Sequence, residues 1–123
     1  MMLMNRFFQK AMRNVVAADS PEGRAEPRFE HCLRVTAPVL PDHRALTVDV
    51  STSGACLETF APVPVGMTFD LDLEIGVFPL HLKARVLWCE KMARGIYRVG
   101  LCLAGSSPHS LHAYQRYVRK EME

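Results

Sequence analysis

Arg24 and Arg28 stand four apart in Arg24-Ala25-Glu26-Pro27-Arg28, and a polar corner, Asp49-Val50-Ser51-Thr52-Ser53-Gly54, follows them. A guanidinium presents a planar fork of N–H donors, whereas an aspartate carboxylate only accepts, so the two residue types read opposite edges of a ligand. Together with the hydroxyls and backbone N–H groups of the corner, they can hold a phosphorylated ligand. This is recognition chemistry, not bond-making chemistry. Pro27 biases Glu26 toward extended backbone, and in an extended segment residues four apart point to the same side. Both arginines can therefore work from one strand edge.

The elements that must position these groups follow from periodicity. Met4, Phe8, Ala11, Met12 and Val15 recur at helical spacing opposite Arg6, Lys10 and Arg13, which predicts a short amphipathic helix over 1–16. Residues 17–27, rich in Pro, Gly, Ala and charge, predict a flexible linker that carries the first arginine. From Arg28 the period changes to two. Phe29, His31, Leu33, Val35, Ala37 and Val39 predict one long half-buried strand. Leu46, Val48 and Val50 alternate with Thr47 and Asp49 in a second, and 55–60 form a third. Met67 to Ile75 alternates apolar with Thr68, Asp70, Asp72 and Glu74. Phe78, Leu80, Leu82, Ala84, Val86 and Trp88 share a face of a fifth strand, which places Trp88 in the core. Lys91 to Gly95 reads as a loop before Tyr97, Val99, Leu101 and Leu103 of the sixth. Ser107 before Pro108 is a helix start, followed by Leu111, Tyr114, Val118 and Met122 at helical spacing. Six short strands and a closing helix suggest a barrel or sandwich over 28–123.

Composition removes several classes of function. A length of 123 residues suits a single domain, and 49% hydrophobic with 23% charged residues suits a packed core. A net charge of +2, with no aromatic residues interleaved among the basic ones, does not suit a nucleic-acid binder. Cys32, Cys56, Cys89 and Cys102 are scattered without a C-x-x-C pair, so they read as buried thiols, and a reducing cytoplasm is the expected setting. His109 and His112 lack a third ligand for a metal. His31, His43 and His81 have no nucleophile near them in sequence, so neither a metal nor an enzyme is expected. No run approaches the ~18 apolar residues of a membrane span, and membrane contact is not expected.

The R-x-x-x-R pair at Arg24 and Arg28, the following strand, and D-x-S-x-x-G at Asp49, Ser51 and Gly54 resemble the PilZ domain. The resemblance runs from residue 24 to about 120 and includes Trp88 and Tyr97-Arg98-Val99-Gly100. It implies an all-β fold with peripheral helices, namely a six-stranded antiparallel PilZ-type barrel with a C-terminal α-helix. It also implies cyclic di-GMP as ligand, held on the outside of that barrel. In that setting Arg24 and Arg28 grip guanine O6 and N7 or phosphate, and Asp49 accepts from guanine N1–H and the exocyclic amine, a donor pair adenine lacks. Ser51 offers its hydroxyl to phosphate or to the turn, Thr52 and Ser53 offer N–H groups, and Gly54 admits positive φ or close approach of the ligand. Trp88 is a further contact only if it lies at the barrel rim.

Gly23 stands where many family members carry another arginine, which favours one bound ligand over a stacked pair. The function expected is a cytoplasmic cyclic di-GMP receptor or adaptor. It would relay the messenger level to a downstream protein by ordering its N-terminal segment. The alternative is a ligand-free PilZ-like interaction module in pilus assembly or motility. Oligomeric state is open.

Overall fold

A computed structural model describes residues 26–123, so the helix expected over 1–16 and most of the expected linker, Arg24 included, lie outside the described residues. Within them the period-two stretches become strands: β1 (Phe29–Glu30), β2 (Arg34–Thr36), β3 (Arg44–Val50), β4 (Gly54–Thr59), β5 (Thr68–Glu74), β6 (Pro79–Ala93) and β7 (Ile96–Cys102). A single helix, α1 (Pro108–Met122), follows them.

Every pairing is antiparallel. β1 and β2 lie end to end along one edge of β3, β2 pairs on to β5, and β5–β6–β7–β4 returns to β3. With β1 and β2 counted as one interrupted strand, this is a closed six-stranded barrel, so its main wall has no free edge. Val35, Val50, Leu57, Leu71, Leu73, Leu82, Val86, Val99 and Leu101 fill it. Tyr114 and Val118 of α1 join the same core. Ser107 caps α1 by accepting from the Ser110 N–H, with Pro108 at the first helical turn where a missing N–H is harmless.

Three departures from simple alternation matter for the outer wall. The long first strand expected over 29–39 is broken at His31–Leu33. There Thr47 Oγ1 accepts from the Leu33 N–H at 2.7 Å and donates to the His31 carbonyl at 2.6 Å, supplying what a ladder would have supplied. His31 Nε2 and the Tyr117 hydroxyl share a hydrogen bond of 2.6 Å that ties this break to α1. Second, β3 is bulged between Thr47 and Asp49. The inward residues are consequently Ala45, Thr47 and Val50, while Leu46 is exposed and Val48 packs outside the barrel, reversing the expected facing of 46–48. Third, β6 is bulged between Val86 and Trp88, so Trp88 leaves the inner face that Val86 occupies. The core position expected for Trp88 is thereby overturned.

Smaller corrections have similarly local causes. β6 runs on to Ala93, so the expected 91–95 loop shrinks to a turn at Gly95, whose φ of 73° suits glycine. Phe78 lies in the exposed β5–β6 connection, not on the core face. Cys32 is exposed and only Cys56 is fully buried, so the reading of four buried thiols holds for one.

Candidate functional site

The register shifts at Thr47/Asp49 and Val86/Trp88 turn two candidate side chains, Asp49 and Trp88, onto one outer surface. Asp49 sits opposite Cys56, and Trp88 sits opposite Gly100. Cys56, Val48, Trp88 and Met92 make a small apolar cluster on the outside of the barrel, separate from the core. A Cβ on Gly100 would collide with the Trp88 indole, so the glycine is the seat on which that ring lies. The indole Nε1 is buried and has no acceptor among the described residues.

Arg28 reaches this wall from just before β1. Phe29 pairs with Val50 and Glu30 with Asp49, which makes Arg28 and Asp49 diagonal neighbours on the outer face. Arg28 Nη1 donates to Asp49 Oδ1 at 2.7 Å. Burial pushes the Asp49 carboxyl above the ordinary aspartate range, opposed by the guanidinium of Arg28 and more weakly by that of Arg98. Burial also raises the Cys56 thiol, which makes it an inert packing group and not a nucleophile.

The corner after β3 is held from three directions. The Ser51 N–H donates to the Gly54 carbonyl at 3.0 Å and closes the turn. The same carbonyl accepts from the Tyr114 hydroxyl at 2.6 Å, so α1 is bolted to the corner through a side chain with no solvent exposure. The Leu103 N–H donates to the Ser53 carbonyl at 2.8 Å. Ser51 is buried, and its hydroxyl lies 3.5 Å from the Gly54 carbonyl; of its two expected partners it faces the turn. Gly54 does not have positive φ. A Cβ there would strike the Leu101 carbonyl oxygen of β7, so the close approach it permits is that of a neighbouring strand. Thr52 and Ser53 are half-buried at the tip.

Arg28, Asp49, Ser51, Thr52, Ser53, Gly54 and Trp88 thus converge on one side of the barrel. Two participants were not among the expected site residues. Arg98 in β7 lies opposite Glu58, with Nη2 at 3.2 Å from Glu58 Oε1, and its charge is felt at Asp49. Its signal in the sequence is its outward position between Tyr97 and Val99. Glu26 lies beyond β1, where its Oε1 accepts from both the Ser53 N–H at 3.2 Å and the Ser53 hydroxyl at 2.7 Å. No group of three or more metal-ligating side chains occurs among the described residues. No described helix is long and apolar enough to cross a membrane.

The closed barrel thus carries a charged pair on its outer wall, beside a corner to which the C-terminal helix is bolted. The PilZ domain family model matches residues 22–120, and the chain belongs to that family. Solved structures agree on the fold. The Bacillus subtilis inhibitor of motility MotI (DgrA) superposes with a TM-score of 0.64 at 15% identity, over 80% of this chain and 51% of that one. Escherichia coli YcgR in complex with c-di-GMP gives 0.62 at 20% identity, over 80% and 46%. The PilZ domain of YcgR with c-di-GMP gives 0.60 at 17% identity, over 79% and 89%. The chain therefore spans about half the length of MotI and of the longer YcgR structure. The comparison with curated proteins returns no match.

Proposed function

We propose that this chain is a receptor or adaptor for cyclic di-GMP. The ligand lies against the outer wall that Arg28 and Asp49 define, and Arg24 completes the grip from the leader. The observation that carries the reading is the 2.7 Å contact between Arg28 and Asp49, which brings the two signature motifs onto one surface. It is supported by family membership and by the c-di-GMP complexes of YcgR among proteins of the same fold. Arg24 and Arg28 would take guanine O6 and N7 or phosphate oxygens through their forked donors. Asp49 would accept from guanine N1–H and the exocyclic amine, since a carboxylate has several acceptor positions and Arg28 Nη1 takes one oxygen. The Ser53 N–H and hydroxyl would meet a phosphate oxygen, with Thr52 beside them. Ser51 and Gly54 would keep the corner in shape, and Trp88 would form the apolar floor.

The role is binding rather than catalysis, and signal passes to a downstream protein when the ligand orders the residues around Arg24. Gly23, one position before the arginine pair, favours a single ligand per chain. Isothermal titration with cyclic di-GMP, beside GTP and GMP, tests the reading: heat with one ligand per chain for the dinucleotide only, lost in Arg28→Ala and Asp49→Ala. No heat from the wild-type chain would move the assignment to a ligand-free interaction module in pilus assembly or motility.

A further inference from the structure

Glu26 lies between the two arginines, and its carboxylate rests on the donors that the proposed ligand's phosphate needs. Its Oε1 takes both the N–H and the hydroxyl of Ser53, at 3.2 and 2.7 Å. The register explains the contact. Phe29 pairs with Val50, the last residue of β3, so the residues just before Phe29 run beside the corner that follows β3 and bring Glu26 to Ser53. Pro27 favours extended backbone at Glu26, which keeps the acid aimed across to the corner. A carboxylate oxygen on an N–H and an adjacent hydroxyl reproduces the contacts of a phosphate oxygen at the same place.

We infer that Glu26 is a built-in phosphate surrogate, which closes the ligand-free corner and must leave it when a phosphorylated ligand binds. The inference rests on the reading of this wall as a phosphorylated-ligand site and adds its regulation. Arg28 commits only Nη1 to Asp49, and its buried Nε has no hydrogen-bond partner among the described residues, so the competition comes from Glu26 and not from Asp49. Glu26 is exposed and its contact with Ser53 is solvated, so the competition it offers is mild and reversible. The ligand must break that contact to reach Ser53, and a solvated contact worth about 1 kcal/mol lowers affinity about fivefold.

The test is titration of the full chain with cyclic di-GMP in wild type, Glu26→Ala, Glu26→Gln and Arg28→Ala. Glu26→Ala should bind about fivefold more tightly than wild type, through loss of the contact the ligand must break, and Glu26→Gln, whose neutral side-chain oxygen holds Ser53 more weakly, should lie between the two. Arg28→Ala should bind more weakly. Unchanged or weaker binding in Glu26→Ala, with Arg28→Ala still impaired, overturns the inference while leaving the site intact; the acid would then position the leader instead of competing. A nucleotide-free measurement separates the two ideas if wild type takes up no cyclic di-GMP. The Ser53 amide resonance should shift between wild type and Glu26→Ala, and pyrophosphate should perturb it at lower concentration in Glu26→Ala. Equal response to pyrophosphate in both proteins, or none in either, also overturns the inference.

Discussion

Arg28→Ala removes the cation 2.7 Å from Asp49 Oδ1 and leaves a carboxylate whose side chain is 10% exposed. The Arg28 side chain is itself 18% exposed, so the pair lies between two regimes. Solvated surface bridges contribute about 0–1 kcal/mol, and breaking a fully buried one costs about 3–5 kcal/mol. A loss of about 2 kcal/mol at neutral pH follows, or a fall of about 1 M in the urea midpoint for a domain of this size. The pH dependence is the sharper test. Burial already raises the Asp49 carboxyl, and Arg28 is the strongest influence opposing that rise, so its removal lifts the carboxyl further. An acid raised in the folded state favours folding below its unfolded value and loses that contribution as pH rises through the folded value. The gap between Arg28→Ala and wild type should therefore be small near about pH 4 and widen toward neutrality. Asp49→Asn in the Arg28→Ala background removes the stranded charge and should restore about half or more of the loss at neutral pH. Urea unfolding followed by emission of Trp88, the single tryptophan, reads all three proteins. A wild-type midpoint for Arg28→Ala at neutral pH, or a gap that does not vary with pH, would refute the reasoning.

Because Asp49 must be ionised to accept from guanine and its carboxyl is raised by burial, cyclic di-GMP affinity should begin to fall as pH drops while still above the ordinary aspartate range. Titrations at stepped pH check this, and an affinity flat down to about pH 4 counts against it. Gly100→Ala puts a methyl into the Trp88 indole, so the ring must leave its seat. A red shift in tryptophan emission and a loss of about 1–3 kcal/mol from overpacking are expected in the same unfolding experiment. Tyr114→Phe removes one of the three donors to the Gly54 carbonyl and should cost about 1 kcal/mol, with cyclic di-GMP affinity nearly unchanged because the Ser51 N–H still closes the turn.

Where a strand has one buried face and no irregularity, alternation was sufficient to read it. Leu71 and Leu73 are buried and Thr68, Asp70 and Glu74 exposed, as their spacing requires. The cap and inward stripe of α1 were equally plain, because Ser107 and Pro108 act within a few residues of themselves and Tyr114 and Val118 recur at helical spacing. The outer wall was legible by motif but not by periodicity. A bulge adds one residue and reverses every side chain beyond it, and nothing in Thr47-Val48-Asp49 or Val86-Leu87-Trp88 announces one. Simple alternation consequently set Trp88 inside and Leu46 inward, although the first lies on the outer wall and the second is exposed. Gly54 and Ser51 were recognisable as corner residues, but their physical necessity comes from Leu101 and Tyr114, dozens of positions away in the chain.

Transmission from this wall is constrained by the ladders. The strand pairings close the barrel around this wall, and the corner is fixed by Tyr114, Ser51 and Leu103. Among the described residues of the wall, those at 26–28 precede the first ladder pair and are held by side-chain contacts instead. A ligand that replaces Glu26 on Ser53 and engages Arg28 acts on that segment, while β5 and the stretch of β6 paired with it, 79–85, keep their pairing away from Trp88. Hydrogen exchange with and without cyclic di-GMP should accordingly show added protection at 26–31 and 51–54, and unchanged slow exchange in β5 and that stretch of β6. Altered exchange through these paired stretches, with no effect at 26–31, would mean that the signal travels through the barrel and not along its leader.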